Sequence, residues 1–191
     1  IMGLIFILVC AMMTSVSIVR EKESGTMEVL LVSPVRPIKI IFAKMIPYFI
    51  ISCIVLVTIL LLARYLLGVP MTGGVAGIFS LSLLYLMLSL SLGLLVSTIT
   101  DTQMAALLIS AMVMMMPILM LSGMLFPIEN LPAFFQALSN IVPARWYIDA
   151  VRKMMIQGEP ITAVWQNCVI LLVMTITILG ISLKKFNDKL E

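Results

Sequence analysis

No histidine occurs anywhere in the 191-residue sequence, and charged residues make up only 11% of it. The first absence removes the commonest general base and the commonest metal ligand together. The second excludes an ordinary soluble domain, where about a quarter of residues are charged and roughly half apolar. Here 62% are apolar, an excess that no water-facing shell can cover, so lipid is the expected solvent. Cysteine is scarce: Cys10, Cys53 and Cys168 each fall inside an apolar segment, which argues against a disulfide framework or a spaced metal site and reads as buried free thiols. The net charge is only +3, and the 12 Lys and Arg form no run of the kind that binds nucleic acid. A G-x-x-x-x-G-K-[ST] phosphate loop is also missing, so the chain is not expected to bind ATP or to be an enzyme by itself.

What is present is long apolar runs. Crossing about 30 Å of hydrocarbon takes about 20 helical residues, and five stretches suffice: Ile1 to Val19, Met45 to Leu67, Val75 to Ile99, Gln103 to Leu125, and Ile161 to Leu183. Without water every backbone N–H and C=O needs an internal partner, and these stretches are too long for barrel strands, so each is expected to be a helix. The first has no basic leader or cleavage site and reads as a span rather than a signal peptide. Because the chain starts at Ile1, already inside a span, it reads as part of a longer protein. Short connections make the middle spans antiparallel. Gly68 to Gly74 is a breaker-rich turn, and Thr100 to Gln103 has capping-box spacing, with Thr100 as the expected cap and Gln103 reaching back. Ser89, Gly93 and Ser97 recur every four residues on the third span and suit close helix packing, as do Gly73 and Gly77.

Orientation follows from the Lys and Arg bias. Arg20, Lys22, Arg36, Lys39 and Lys44 share one side with Lys184, Lys185 and Lys189; Arg64, Arg145, Arg152 and Lys153 lie on the other. The loop 20–44 and the C-terminus are therefore assigned to the cytoplasm, and 122–160 to the outside.

Two loops carry more chemistry than the spans. Arg20 to Pro34 reads R-E-K-E-S-G-T-M-E-V-L-L-V-S-P, placing Met27, Leu30 and Leu31 on one helical face beside Glu21, Glu23 and Glu28. Ser33 and Pro34 read as an N-cap and first helical residue. That composition suits docking on a protein better than on an anionic leaflet. In the outer segment, prolines at 127, 132 and 143 mark off short helices, one over Pro132 to Ser139 displaying Phe134, Phe135 and Leu138, another over Ala144 to Gln157. On the second, Trp146, Tyr147, Ala150, Val151, Met154 and Met155 form an apolar side, while Asp149 can pair with Arg145, Arg152 and Lys153. Trp and Tyr favour the water–lipid interface, so 126–158 reads as a hairpin dipping into the outer leaflet.

At these loops the sequence resembles the permease subunit of bacterial ABC-2 type exporters, the type V ABC transporter fold. Glu23, Gly25, Thr26, Glu28, Leu30, Leu31, Ser33 and Pro34 match the family's E-x-G-T-x-E-x-L-L-V-S-P-like coupling helix, with Glu21 and Met27 alongside. The re-entrant extracellular hairpin is matched by S-G-x-x-F-P-I-E-N-L-P, with Phe126, Pro127, Glu129, Asn130, Leu131 and Pro132, and by P-A-R-W-Y-I-D-A, with Pro143, Arg145, Trp146, Tyr147 and Asp149. The resemblance implies an all-α integral membrane bundle of about five of the family's six spans, forming a single permease domain. It also implies ATP-driven export across a bacterial plasma membrane, multidrug efflux among the possibilities. ATP and Mg would sit on a separate cytoplasmic ABC ATPase subunit, and a second permease subunit would complete the channel.

Two other classes compete with that expectation. An intramembrane protease needs His or paired carboxylates at membrane depth, and Asp101, Asp149 and Asp188 all lie outside the spans. A non-transporting scaffold or assembly protein suits small-residue faces and an interfacial hairpin equally well. The spans hold Arg64 as their single charge, near an end where its stem can snorkel, which favours a hydrophobic or amphiphilic cargo over an ion. Met112 and Met114 to Met116, before Pro117, suit either an adaptable lining or plain bundle packing.

Overall fold

Apolar length alone selects helix wherever lipid removes the backbone's alternative partners. The structure, a computed structural model describing residues 1–26, 29, 37–71, 73–123 and 125–188, is helical accordingly, with no strand among the described residues. Five helices are long and apolar enough to cross a membrane. They are α1 (Met2–Glu23), α2 (Pro37–Tyr65), α3 (Val75–Ile99), α4 (Gln103–Leu121) and, after two short helices, α7 (Trp165–Asp188). The short ones are α5 (Ala133–Ser139) and α6 (Pro143–Arg152), the latter running on as a π-turn over Lys153–Gln157.

Helix ends differ from the hydropathy limits because hydrogen bonds, not apolarity, end a helix. The polar stretch after Val19 continues α1 to Glu23, and α2 begins at Pro37 rather than Met45. Gly68 closes α2 in the left-handed region (φ 59), which lets the Val69 N–H reach Ala63 O at 2.9 Å. Pro47 and Pro117 each delete one ladder bond inside α2 and α4.

The third span is the axis of the bundle. Within the molecule 61% of α3's span is buried, against 22% for α2, 28% for α4 and 17% for α7, so those three present most of their surface outward, to lipid or another chain. α1 lies between α3 and α4 and also meets α2, while α7 packs on the far side of α3. Small residues make these approaches possible. A Cβ on Gly93 would sit 2.6 Å from Ala11 O, so α1 crosses α3 nearly backbone to backbone there. Ser89 and Ser97 are buried alongside, but their hydroxyls donate to their own helix at Tyr85 O (2.8 Å) and Leu94 O (2.6 Å). Gly73 and Gly77 accommodate a different neighbour, the π-turn after α6: the Gly73 N–H donates to Met154 O at 3.0 Å.

Polar side chains stitch the crossings between helices. Cys10 Sγ and Ser52 Oγ share a 2.9 Å hydrogen bond between α1 and α2, and Ser110 donates to Ser15 at 3.4 Å between α4 and α1. The three cysteines are free thiols, but only Cys10 is buried; Cys53 and Cys168 are half-buried, because α2 and α7 lie at the periphery. In the Met-rich run, Met114 enters the core while Met112, Met115 and Met116 face outward.

Candidate functional site

The loop end is built from the last turn of α1. Gly25 takes φ 72, and the Ser24 and Gly25 N–H groups donate back to Arg20 O (3.0 Å) and Lys22 O (3.2 Å). The Thr26 hydroxyl donates to Glu21 O at 3.3 Å. In the E-S-G-T run, then, Ser24 is the C-cap of α1 and Gly25 follows it in the left-handed region. Met27, Glu28, Leu30, Leu31, Ser33 and Pro34 lie outside the described residues.

Three consecutive side chains at this end each bind a different helix. Glu21 pairs with Lys44 of α2, Lys22 Nζ donates to Ser97 O of α3, and Glu23 Oε2 accepts from both the backbone N–H (2.9 Å) and side-chain amide (3.0 Å) of Gln103 at the start of α4. A carboxylate at a helix N-terminus is favourably placed against the helix dipole. This arrangement corrects the capping-box expectation. Thr102, not Thr100, is the N-cap of α4, accepting from the Ala105 N–H at 3.2 Å. Thr100 donates instead to Val96 O, and Gln103, the first helical residue, is taken by Glu23 from another helix. Glu21 and Glu23, read from sequence as facing a partner protein, are both engaged inside the chain.

At the opposite end, 3-10 turn Ile128–Asn130, α5 and α6 form a hairpin. Pro132 is the N-cap of α5 and Gln136 Nε2 donates back to Leu131 O (2.9 Å), fixing the entry from Phe126 and Pro127. Pro143 starts α6. Arg145 does not reach Asp149. It turns back to bind Ser139, Asn140 Oδ1 (2.7 Å) and Gln136 O (3.4 Å), while Trp146 Nε1 donates to Asn140 O at 3.0 Å. Cation and indole thus satisfy the C-terminal end of α5, where carbonyls lack helical partners. Asp149 pairs with Lys153 (2.8 Å), whereas Arg152 leans on Gly123 O at 3.5 Å.

Tyr147 departs most from the interfacial expectation. It is 1% exposed and stacked on Tyr85 of α3, with centroids 4.1 Å apart and planes 5° apart. Its hydroxyl shares a 2.8 Å hydrogen bond with Ser82, and the Tyr85 hydroxyl donates to Gly3 O at 2.9 Å. Ser82 and Tyr85 are roughly 10 to 15 Å along α3 from its start at about 1.5 Å per residue, so the hairpin re-enters the bundle. Burial pushes the Tyr147 hydroxyl above its ordinary pKa, with the Ser82 bond opposing, so it acts as a neutral phenol. A missing Cβ at Gly3 makes room: one added there would lie 2.9 Å from the Tyr147 ring.

Asn167, near the start of α7, completes this end and was not singled out from sequence. It is 5% exposed, and its amide donates to Trp146 O (2.9 Å) and Asp149 Oδ2 (3.0 Å), joining hairpin to last span. Its signal was available: with Gln166 it is one of two amides in a mainly apolar segment, where polar groups need partners. Phe134, Phe135 and Leu138 of α5 are exposed and form the outward side of the hairpin. Between hairpin and the end of α4 lies a cavity of about 400 Å³ with polar and charged walls. Among the described residues no group of three or more His, Cys, Asp or Glu is placed to hold a metal ion.

Comparison with known proteins places these two ends in context. The model of a family described as ABC-2 family transporter protein matches residues 1–184. A probable multidrug ABC transporter permease of Escherichia coli, YbhS, is 30% identical over 188 residues, covering 98% of this chain and 50% of that protein. A second, YbhR, is 33% identical over 164 residues, covering 86% of this chain and 44% of that protein. ABC transporter G family member 20 of Dictyostelium discoideum is 30% identical over 178 residues, covering 92% of this chain but 24% of its own length. The chain therefore spans about half or less of the curated relatives it matches. No solved structure gives a significant match. With one family spanning nearly every residue, both the clamped loop end and the re-entrant hairpin included, the chain belongs to the ABC-2 family of transporter proteins.

Proposed function

We propose that the chain is the translocation part of an ATP-driven exporter permease in a bacterial plasma membrane. It works as one of two permease subunits and moves a hydrophobic or amphiphilic cargo, such as a drug or lipid, out of the cytoplasm. ATP and Mg are bound by a separate ABC ATPase subunit that docks on the loop between α1 and α2, and the C-terminus lies on that same cytoplasmic side. The family and its multidrug permease relatives support this reading.

The observation that carries it is the clamp at the base of that loop. Through Glu21, Lys22 and Glu23, the end of α1 is tied to α2, α3 and α4 at once. A force on the loop is then delivered to four helices as a body, as rigid-body alternation between inward- and outward-facing states requires. A mainly hydrophobic cargo agrees with spans whose charges sit at their ends. The test is Glu23→Lys and Glu28→Lys in the full-length permease, reconstituted in liposomes with its ATPase subunit. Basal ATP hydrolysis should persist, while cargo-stimulated hydrolysis and cargo efflux each fall about tenfold, the effect of about 1.4 kcal/mol of lost coupling. Wild-type stimulation and efflux in both variants would sink the reading.

A further inference from the structure

The cavity beside the hairpin has walls of mixed charge. Arg145, Arg152, Glu129 and Asp149 all line it, with Trp146 and Gln136. Asp149 is matched by Lys153. Arg145, Arg152 and Glu129 have no oppositely charged partner within 4.0 Å among the described residues. Three unmatched charges therefore share one space of about 400 Å³, a size within the usual range for small-ligand sites.

We infer that this cavity binds the zwitterionic headgroup of a phospholipid, its phosphate between Arg145 and Arg152 and its ammonium at Glu129. Arg145 is held by Ser139 and Asn140, so its fork is preorganised and loses little freedom on binding. Guanidinium groups suit phosphate through paired, charge-assisted hydrogen bonds. Glu129 disfavours a purely anionic ligand and selects one with a balancing cation. The lipid source follows from the surroundings: Phe126, Phe134, Phe135 and Ile141 are exposed on the same hairpin and offer an apolar track for acyl chains. The test below reads lipid binding with neither ATPase subunit nor nucleotide present, so its failure leaves the transport reading standing.

Two side chains can be changed without disturbing the hairpin's own bonds. Among the described residues Glu129 makes no side-chain hydrogen bond, and Arg152 makes only the 3.5 Å contact to Gly123 O. Delipidated full-length permease in detergent, examined by native mass spectrometry, would be titrated with short-chain phosphatidylethanolamine and with phosphatidylglycerol of equal chain length. Free phosphoethanolamine and inorganic phosphate serve as competitors. Wild type should hold phosphatidylethanolamine about tenfold more tightly than phosphatidylglycerol. Arg152→Gln should weaken both about tenfold, and Glu129→Gln should erase the preference without weakening phosphatidylglycerol. Equal affinities in wild type, or variants that bind as wild type does, overturn the inference. Competition by free phosphoethanolamine as strong as by the lipid reassigns the site to a soluble zwitterion and overturns the lipid source. Equally strong competition by inorganic phosphate leaves a plain anion site and overturns the zwitterion.

Discussion

Gly93 and Gly180 are both glycines in spanning helices, yet their surroundings give substitution opposite signs. A Cβ on Gly93 would lie 2.6 Å from Ala11 O and 2.9 Å from Ala11 Cα, whereas one on Gly180 meets nothing within 4 Å. Gly93→Ala should therefore lower the thermal unfolding midpoint in detergent, by the equivalent of about 1 to 3 kcal/mol, since two backbones must part. Gly180→Ala should leave it unchanged or raise it, because Ala favours helix by up to about 1 kcal/mol. Equal midpoints for the two variants would contradict the α1–α3 packing. The four-residue spacing of Ser89, Gly93 and Ser97 was legible in the sequence, but not which helix it would meet. At Asn167 the prediction concerns a single amide. Asn167→Leu leaves Trp146 O and Asp149 without that donor at a cost of about 1 to 3 kcal/mol, and amide hydrogen exchange should quicken in α6 before it does in α3.

The re-entrant hairpin is anchored by an aromatic contact whose two parts can be separated. Tyr147→Phe keeps the stack on Tyr85 and loses the Ser82 bond, at about 1 kcal/mol, while Tyr147→Ala removes the ring from a closed site at about 3 to 5 kcal/mol. Protease accessibility of 126–158 should follow that order, wild type then Phe then Ala. The proline-marked helices were legible, since Pro has no N–H to donate and favours helix starts. The side chain that turns inward was not. Trp and Tyr prefer interfaces on average, and only the space opened at Gly3 and the partners at Ser82 and Tyr85 draw Tyr147 into the core. Asp149 shows the same limit: helical spacing allowed three basic partners, and Arg145 was taken by the end of α5.

Across the whole molecule the two ends are joined by α3, whose first half receives the hairpin and whose last turn receives Lys22. The Glu23–Gln103 link adds α4, and its energetic role is open to a double-mutant cycle. Glu23→Ala and Gln103→Ala should each lower the unfolding midpoint, and the double variant should lower it by less than their sum, because the Glu23 carboxylate and the Gln103 amide lose one shared bond. Strict additivity would remove the clamp from the coupling argument. The sequence by itself determined the lipid environment, five helical spans and the positions of the informative loops, because apolar length and breaker residues act locally along the chain. Tertiary structure alone decided which charges are tied to another helix, which threonine caps α4 and which tyrosine enters the core. Those outcomes depend on partners tens of residues away, exposed in the case of Glu23 with Gln103 and buried in that of Tyr147 with Ser82, and a polar group takes whichever partner the packing brings within hydrogen-bond reach.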